Sequence, residues 1–259
     1  MEKFINSLRN EVYMVSIQFL PRVEGERLAK RNNPQKLAFD VSSYAPAPYN
    51  SFSPFSYSPQ FQIPVPGIPG RIAHSVESIW QGLKVIDGVI DDTLFTTHPH
   101  KRRGVVDGHL YNGRLLEVEE ARWKIYLPAY HYFVDKYVPT ETVNSLLSLP
   151  HQGKEISLYD VQENGNISNP EPLAHASVLA LYLNLKIAQT PWKPSTKQEH
   201  LLSDILNDDN KSIEDKASDL LASFSDDKFR KVFIYTCIEH PQNIDQYHLG
   251  QVLSNLALK

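Results

Sequence analysis

Glu77, Gln81 and Lys84 fall within one stretch, HSVESIWQGLKVID, residues 74–87. On a helix turning about 100° per residue, a carboxylate, a carboxamide and an ammonium at these spacings share one polar arc. Val76, Ile79, Trp80, Leu83 and Ile86 form the neighbouring apolar arc, and Ser75 stands where an N-cap belongs. The pattern alone admits two readings. In one, the helix is amphipathic and Glu77 faces water. In the other, Glu77 faces a pocket whose walls are Trp80 and the segment before the helix; burial there raises the carboxyl pKa and Lys84 opposes the rise.

Other groups could complete such a pocket. Lys101-Arg102-Arg103-Gly104 places positive charge on a turn, as phosphate recognition requires, or is simply a solvated basic loop. Arg122 lies in EARWKIYLPAY, where an i,i+3 pair with Glu119 is the structural alternative. Asp160 ends the strand-like run EISLYD and either points into a cleft or caps the following turn. His175 opens an apolar helix, where it acts on a ligand, caps or packs. His98-Pro99-His100 has no further ligand at a spacing that completes a metal site, and no metal is expected.

The elements that must position these groups are mostly helical. Residues 44–70, YAPAPYNSFSPFSYSPQFQIPVPGIPG, hold seven of the chain's 18 prolines and six aromatics. Proline removes donors and restricts its neighbour, so regular structure is nearly impossible there, whereas the aromatics pull the segment onto a surface. An ordered loop wrapped over the body is expected. KLAFDVSS and GKEISLYDV read as strands, and residues 1–18 as a short helix leading into a strand, EVYMVSIQ. EVEEARWKIYLPAYHYFVDKYV reads as a helix kinked at Pro128, and HPHKRRGVVDGHLYNGR as a charged turn region. LAHASVLALYLNLKIA, HLLSDILND, KSIEDKASDLLASF, DDKFRKVFIYTCIEH and NIDQYHLGQVLSNLAL read as helices. The expectation is a mainly α protein with a few short strands, having a core over residues 1–195 and a helical segment over 196–259.

Composition bounds the rest. A chain of 259 residues with 41% hydrophobic and 22% charged residues has the make-up of a globular protein. Its net charge of −4 gives no general pull toward nucleic acid or anionic membrane. No apolar run reaches the roughly 18 residues of a membrane span, and a cytoplasmic location is expected. The single cysteine, Cys237, excludes an internal disulfide and sits in an apolar run as a buried thiol would. Phosphate-loop, dinucleotide-binding, zinc-protease and nucleophile-elbow motifs are absent from the sequence.

The stretch H-S-V-E-S-I-W-Q-G-L-K resembles the signature helix of the NADAR, or YbiA-like, N-glycosidases, approximately [ST]-x-E-H-x-[YF]-Q-A-x-K. Ser75, Glu77, Trp80, Gln81 and Lys84 match it in type and spacing. Phe52, Ser53 and Phe55 of FSPFSYSPQFQIP are similar to the family's aromatic loop. Ser78 replaces the family's histidine, Gly82 its alanine, and its later tryptophan–aspartate motif is not visible. The resemblance implies a mostly α fold, no cofactor, and hydrolysis of an N-glycosidic bond in a small nucleotide or ADP-ribose-bearing substrate, with nucleic acid entering only as a modified substrate. It implies Glu77 as the catalytic carboxylate, Gln81 orienting a ribose hydroxyl or water, Lys84 meeting a phosphate, and Phe52 or Phe55 stacking on the base. Two other classes stand beside this one: a catalytically idle ADP-ribose or nucleotide binder, and a helical scaffold whose proline-rich loop docks a partner.

Overall fold

The computed structural model describes residues 17–187, 204, 205, 208 and 210–223. EVYMVSIQ up to residue 16, Cys237, the expected boundary at 195/196, most of the helix expected over 200–208 and both helices expected after residue 225 lie outside these residues. Ile17–Leu183 form one compact unit, and the remainder of the chain is grouped as a second.

In chain order the first unit contains β1 (Ile17–Phe19), α1 (Arg22–Ala29), β2 (Lys36–Asp40), β3 (Ile63–Pro64), β4 (Ile72–Ala73), α2 (Val76–Gly82), β5 (Lys84–Val85), β6 (Gly108–Tyr111) and β7 (Arg114–Leu116). There follow α3 (Val118–Ala121), a π turn (Arg122–Tyr126), α4 (Leu127–Tyr137), α5 (Thr140–His151), β8 (Glu155–Tyr159) and α6 (His175–Ile187), whose last turn lies past the unit's end at Leu183. In the second unit α7 (Ile213–Ser223) is described, its start held by the Ser212 hydroxyl, which accepts from the Asp215 backbone N–H at 3.1 Å.

The mainly α expectation is overturned by three small sheets. β8 lies between β1 and β2 and pairs parallel with both, in the registers Ile17↔Ile156 and Phe39↔Leu158. A strand flanked on both edges and covered by helices reads as a near-continuous apolar run, and Ile156, Ser157 and Leu158 are all buried. β3 and β4 pair antiparallel, and β5–β6–β7 form an antiparallel sheet. The fold is mixed α/β.

The β6–β7 hairpin occupies what reads as a charged turn region. Asn112 and Gly113 both have positive φ, 49° and 74°, as a tight two-residue hairpin turn of matching twist requires. Leu110 and Leu115 face each other in its register.

The helix predicted over EVEEARWKIYLPAYHYFVDKYV is continuous from Val118 to Tyr137 but is built from α3, the π turn and α4. Pro128 stands in the first turn of α4, where a missing N–H is tolerated, and the wider turn upstream accommodates its ring. The proline-rich loop packs on this rod. The Tyr130 hydroxyl donates to the Phe52 carbonyl at 2.8 Å, the Gln62 N–H donates to the Tyr137 hydroxyl at 2.7 Å, and Phe61 stacks on Tyr137. Among the described residues no helix is long and apolar enough to cross a membrane.

Candidate functional site

α2 is capped as its sequence dictates: the Ser75 hydroxyl accepts from the Ser78 N–H at 3.0 Å. The proline-rich loop closes over its first turn, where the Glu77 N–H donates to the Pro54 carbonyl at 2.9 Å. The helix is shorter than its apolar spacing suggests. It ends at Gly82, where a Cβ would stand 2.5 Å from the Phe95 ring; the glycine lets that buried ring close against the helix end. Lys84 therefore leaves the helix and starts β5, paired with His109 of β6. It shares no helix face with Glu77, yet its charge still reaches that carboxyl.

Glu77 is 6% exposed. Gln81, one turn on, donates from Nε2 to Glu77 Oε1 at 2.7 Å, while its own Oε1 accepts the Arg102 backbone N–H at 3.1 Å. A carboxamide held at both ends fixes the carboxyl it touches. Among the described residues Glu77 forms no ion pair within 4 Å, and Oε2 takes no hydrogen bond. Burial raises the Glu77 pKa above its ordinary 4.5, against the Gln81 hydrogen bond and the charges of Lys101, Lys84 and His175. The half-buried Lys84 ammonium is pushed down by burial, with the Glu77 charge opposing and Lys101 and Arg102 adding to the fall.

Aromatic rings gather around Trp80, one helical turn from Glu77. Trp80 is half-buried, with His109 against its ring at 3.8 Å between centroids and Tyr126 edge-on at 5.6 Å. His109 is buried and, among the described residues, neither ring nitrogen is hydrogen-bonded; its pKa falls to about 3 through burial and then the charges of Lys84 and Arg122, so its ring is neutral. Tyr126 stacks in turn on Tyr130, rings 8° from parallel.

Asp160 and His175 form a buried pair behind this wall. His175 donates from Nδ1 to Asp160 Oδ2 at 2.9 Å and from Nε2 to the Val41 carbonyl at 2.8 Å. Asp160 also accepts the N–H groups of Ala176 and Gln162, at 2.9 and 2.6 Å. Burial opposes both charges, but the pair overcomes it: His175 is held above its ordinary 6.5, and Asp160 below its ordinary 3.8. His175 thus sends a fixed positive charge toward Glu77 while tying β8 and α6 to the loop after β2.

The remaining expected residues divide. Phe52 is sealed in the core, so it offers no ring face for stacking. Ser53 is buried, and its hydroxyl accepts the Phe55 N–H at 3.1 Å, shaping the loop. Phe55, 36% exposed, keeps a free surface. Arg103 is exposed on the loop after His100, while its neighbour Arg102 turns inward and donates to the carbonyls of Gln81, Lys84 and Val89. Arg122 is not placed for a ligand. Its guanidinium donates to the carbonyls of Ile167, Asn169, Pro170 and Glu171, and Glu119 meets Ser168 instead of pairing with it.

Arg102, His109 and Tyr126 escape a reading by motif. Only the hairpin turn signal Asn112-Gly113 would have brought His109 beside Lys84. Among the described residues no group of three acidic, histidine or cysteine side chains is arranged to hold a metal ion. His98 lies against Tyr57 and His100 is exposed.

Comparison with curated proteins and with solved structures gives no match. One family model, described as a family of unknown function (DUF6939), matches residues 21–179, a span that includes every candidate site residue from Phe52 to His175. The chain belongs to this family.

Proposed function

We propose that the chain is a hydrolase that cleaves an N-glycosidic bond in a nucleotide-like or ADP-ribosylated substrate, as a divergent relative of the NADAR N-glycosidases, with Glu77 as the catalytic carboxylate. The observation that carries this reading is a buried carboxyl that, among the described residues, has no ion-pair partner within 4 Å, is held by one oxygen through Gln81, and feels the charges of Lys101, Lys84 and His175.

Cleavage breaks the bond between the anomeric carbon and the base nitrogen. The electron pair leaves with the base, and the sugar passes through an oxocarbenium-like state. Glu77 stabilises that cation or takes the proton of the water that attacks it. Its raised pKa brings the carboxyl closer to the working range of a general base. Lys84, Lys101 and Arg103 supply positive charge for phosphate oxygens. Phe55 and the half-buried Trp80 supply apolar ring surface for a flat leaving group.

The test is a screen of nucleosides, nucleotides, riboflavin-pathway intermediates and ADP-ribosylated guanine, followed by chromatography of free base and sugar. Stoichiometric release of both from a member of one class supports the reading. Tight binding of ADP-ribose with no release from any member moves the protein to the second class, an idle binder. Neither binding nor release removes the site from nucleotide chemistry.

A further inference from the structure

Tyr126 occupies the last position of the π turn, and its side chain is 8% exposed. Its ring lies edge-on to Trp80, itself one helical turn from Glu77, and stacks on Tyr130. The two stacked tyrosines differ in one respect. Tyr130 donates its hydroxyl to the Phe52 carbonyl at 2.8 Å, whereas the Tyr126 hydroxyl makes no hydrogen bond among the described residues.

Nor is that hydroxyl sealed. Unpaired polar atoms shut away from the surface occur elsewhere, on the His109 ring and the Thr142 hydroxyl among others, but not on Tyr126. A tyrosine this deep ordinarily finds a partner for its O–H. Here the free O–H opens onto accessible space, as does the unbonded Oε2 of Glu77.

We infer that the Tyr126 hydroxyl is a substrate-contacting hydrogen-bond donor, set by the π turn to hold a ribose hydroxyl of the ligand at the Glu77 site. This rests on the nucleotide reading of that site. The extra residue of a π turn rotates the side chains after it relative to a regular helix, which is why such turns recur at binding sites. The hydroxyl stays protonated, because burial and the negative charges around it, including Glu77, hold its pKa well above 10. It is therefore a donor throughout the physiological range.

The test compares ADP-ribose and its ribose-deoxygenated analogues by titration calorimetry, on the full chain and on Tyr126→Phe, which keeps both ring contacts. Tyr130→Phe serves as the structural comparator. The expected result is an affinity for ADP-ribose about tenfold weaker in Tyr126→Phe, as for loss of one hydrogen bond from a desolvated site. One deoxy analogue should bind the two forms equally, because it lacks the group the hydroxyl holds. The melting temperature of Tyr126→Phe should match the parent, while that of Tyr130→Phe falls.

Equal affinity of the parent and Tyr126→Phe for ADP-ribose overturns the inference and leaves the nucleotide reading standing. A melting temperature lowered as far as that of Tyr130→Phe also overturns it, since the hydroxyl then has a structural partner. Absence of ADP-ribose binding by the parent overturns the inference, and it defeats the nucleotide reading as well when no member of the substrate screen is cleaved.

Discussion

Replacing Asp160 by asparagine tests how the wall behind the site is held. Asp160 is 1% exposed and accepts three N–H groups: His175 Nδ1 and Ala176 N on Oδ2, and Gln162 N on Oδ1. Asparagine has the same shape but one oxygen, so its amide NH₂ must face at least one of these donors. The buried imidazolium also loses its counter-charge. Breaking a buried pair from one side costs about 3–5 kcal/mol, and the retained oxygen places Asp160→Asn near the lower end, at about 3 kcal/mol. For a domain of this size that is a fall of roughly 6–12 °C in melting temperature.

The pH dependence gives an independent check. His175 is raised above 6.5 when folded, so its contribution is complete below 6.5 and is lost as pH rises through the elevated value. Asp160 is lowered below 3.8, so its contribution is complete above 3.8 and is lost as pH falls through the depressed value. The pair therefore stabilises most between those limits. Urea unfolding followed by tryptophan fluorescence at a series of pH values should show the plateau in the parent and a flatter curve in the variant. A variant within about 0.5 kcal/mol of the parent at pH 7, with an unchanged profile, would refute the reasoning.

Three further outcomes are expected. Glu77→Gln should be more stable than the parent at neutral pH, by on the order of 1 kcal/mol, because it removes a charge whose burial outweighs the Gln81 hydrogen bond and the nearby cations. Since burial raises the folded pKa of Glu77, the difference should vanish below pH 4.5 and grow as pH rises; a constant difference in urea unfolding would contradict this. Arg122→Ala should cost about 3 kcal/mol and open residues 161–171 to limited proteolysis, since four carbonyls lose one guanidinium; unchanged cleavage would deny Arg122 that role. Gly82→Ala should lose about 2 kcal/mol in the same assay, because the new methyl meets the Phe95 ring at 2.5 Å; a neutral effect would mean that the ring yields freely.

What was legible in the sequence was local. Ser75 as a cap, Glu77 beside Gln81, the strands at Lys36–Asp40 and Glu155–Tyr159, and the helix from His175 all follow from short-range spacing. What was not legible depended on partners far along the chain. The parallel sheet joins strands of three to five residues, and its central strand comes more than a hundred residues after its edges; no local pattern reports that pairing.

Lys84 left the expected helix face to pair with His109 of β6, a partner well beyond the helix in sequence. Arg122 carries the charge of a phosphate ligand, and only the fold shows it spent on carbonyls. The hairpin is a different kind of miss. Asn112-Gly113 between apolar residues is a strong turn signal, and the basic residues upstream masked it.

The most direct measurement is single-turnover release of base from whichever N-glycoside the screen identifies, compared between the parent and Glu77→Gln. If Glu77 stabilises or generates the reacting species, release should slow by a factor of about 10³ or more, with ligand affinity within a few-fold and the fold intact. Release at the parental rate would contradict a catalytic role for this carboxyl.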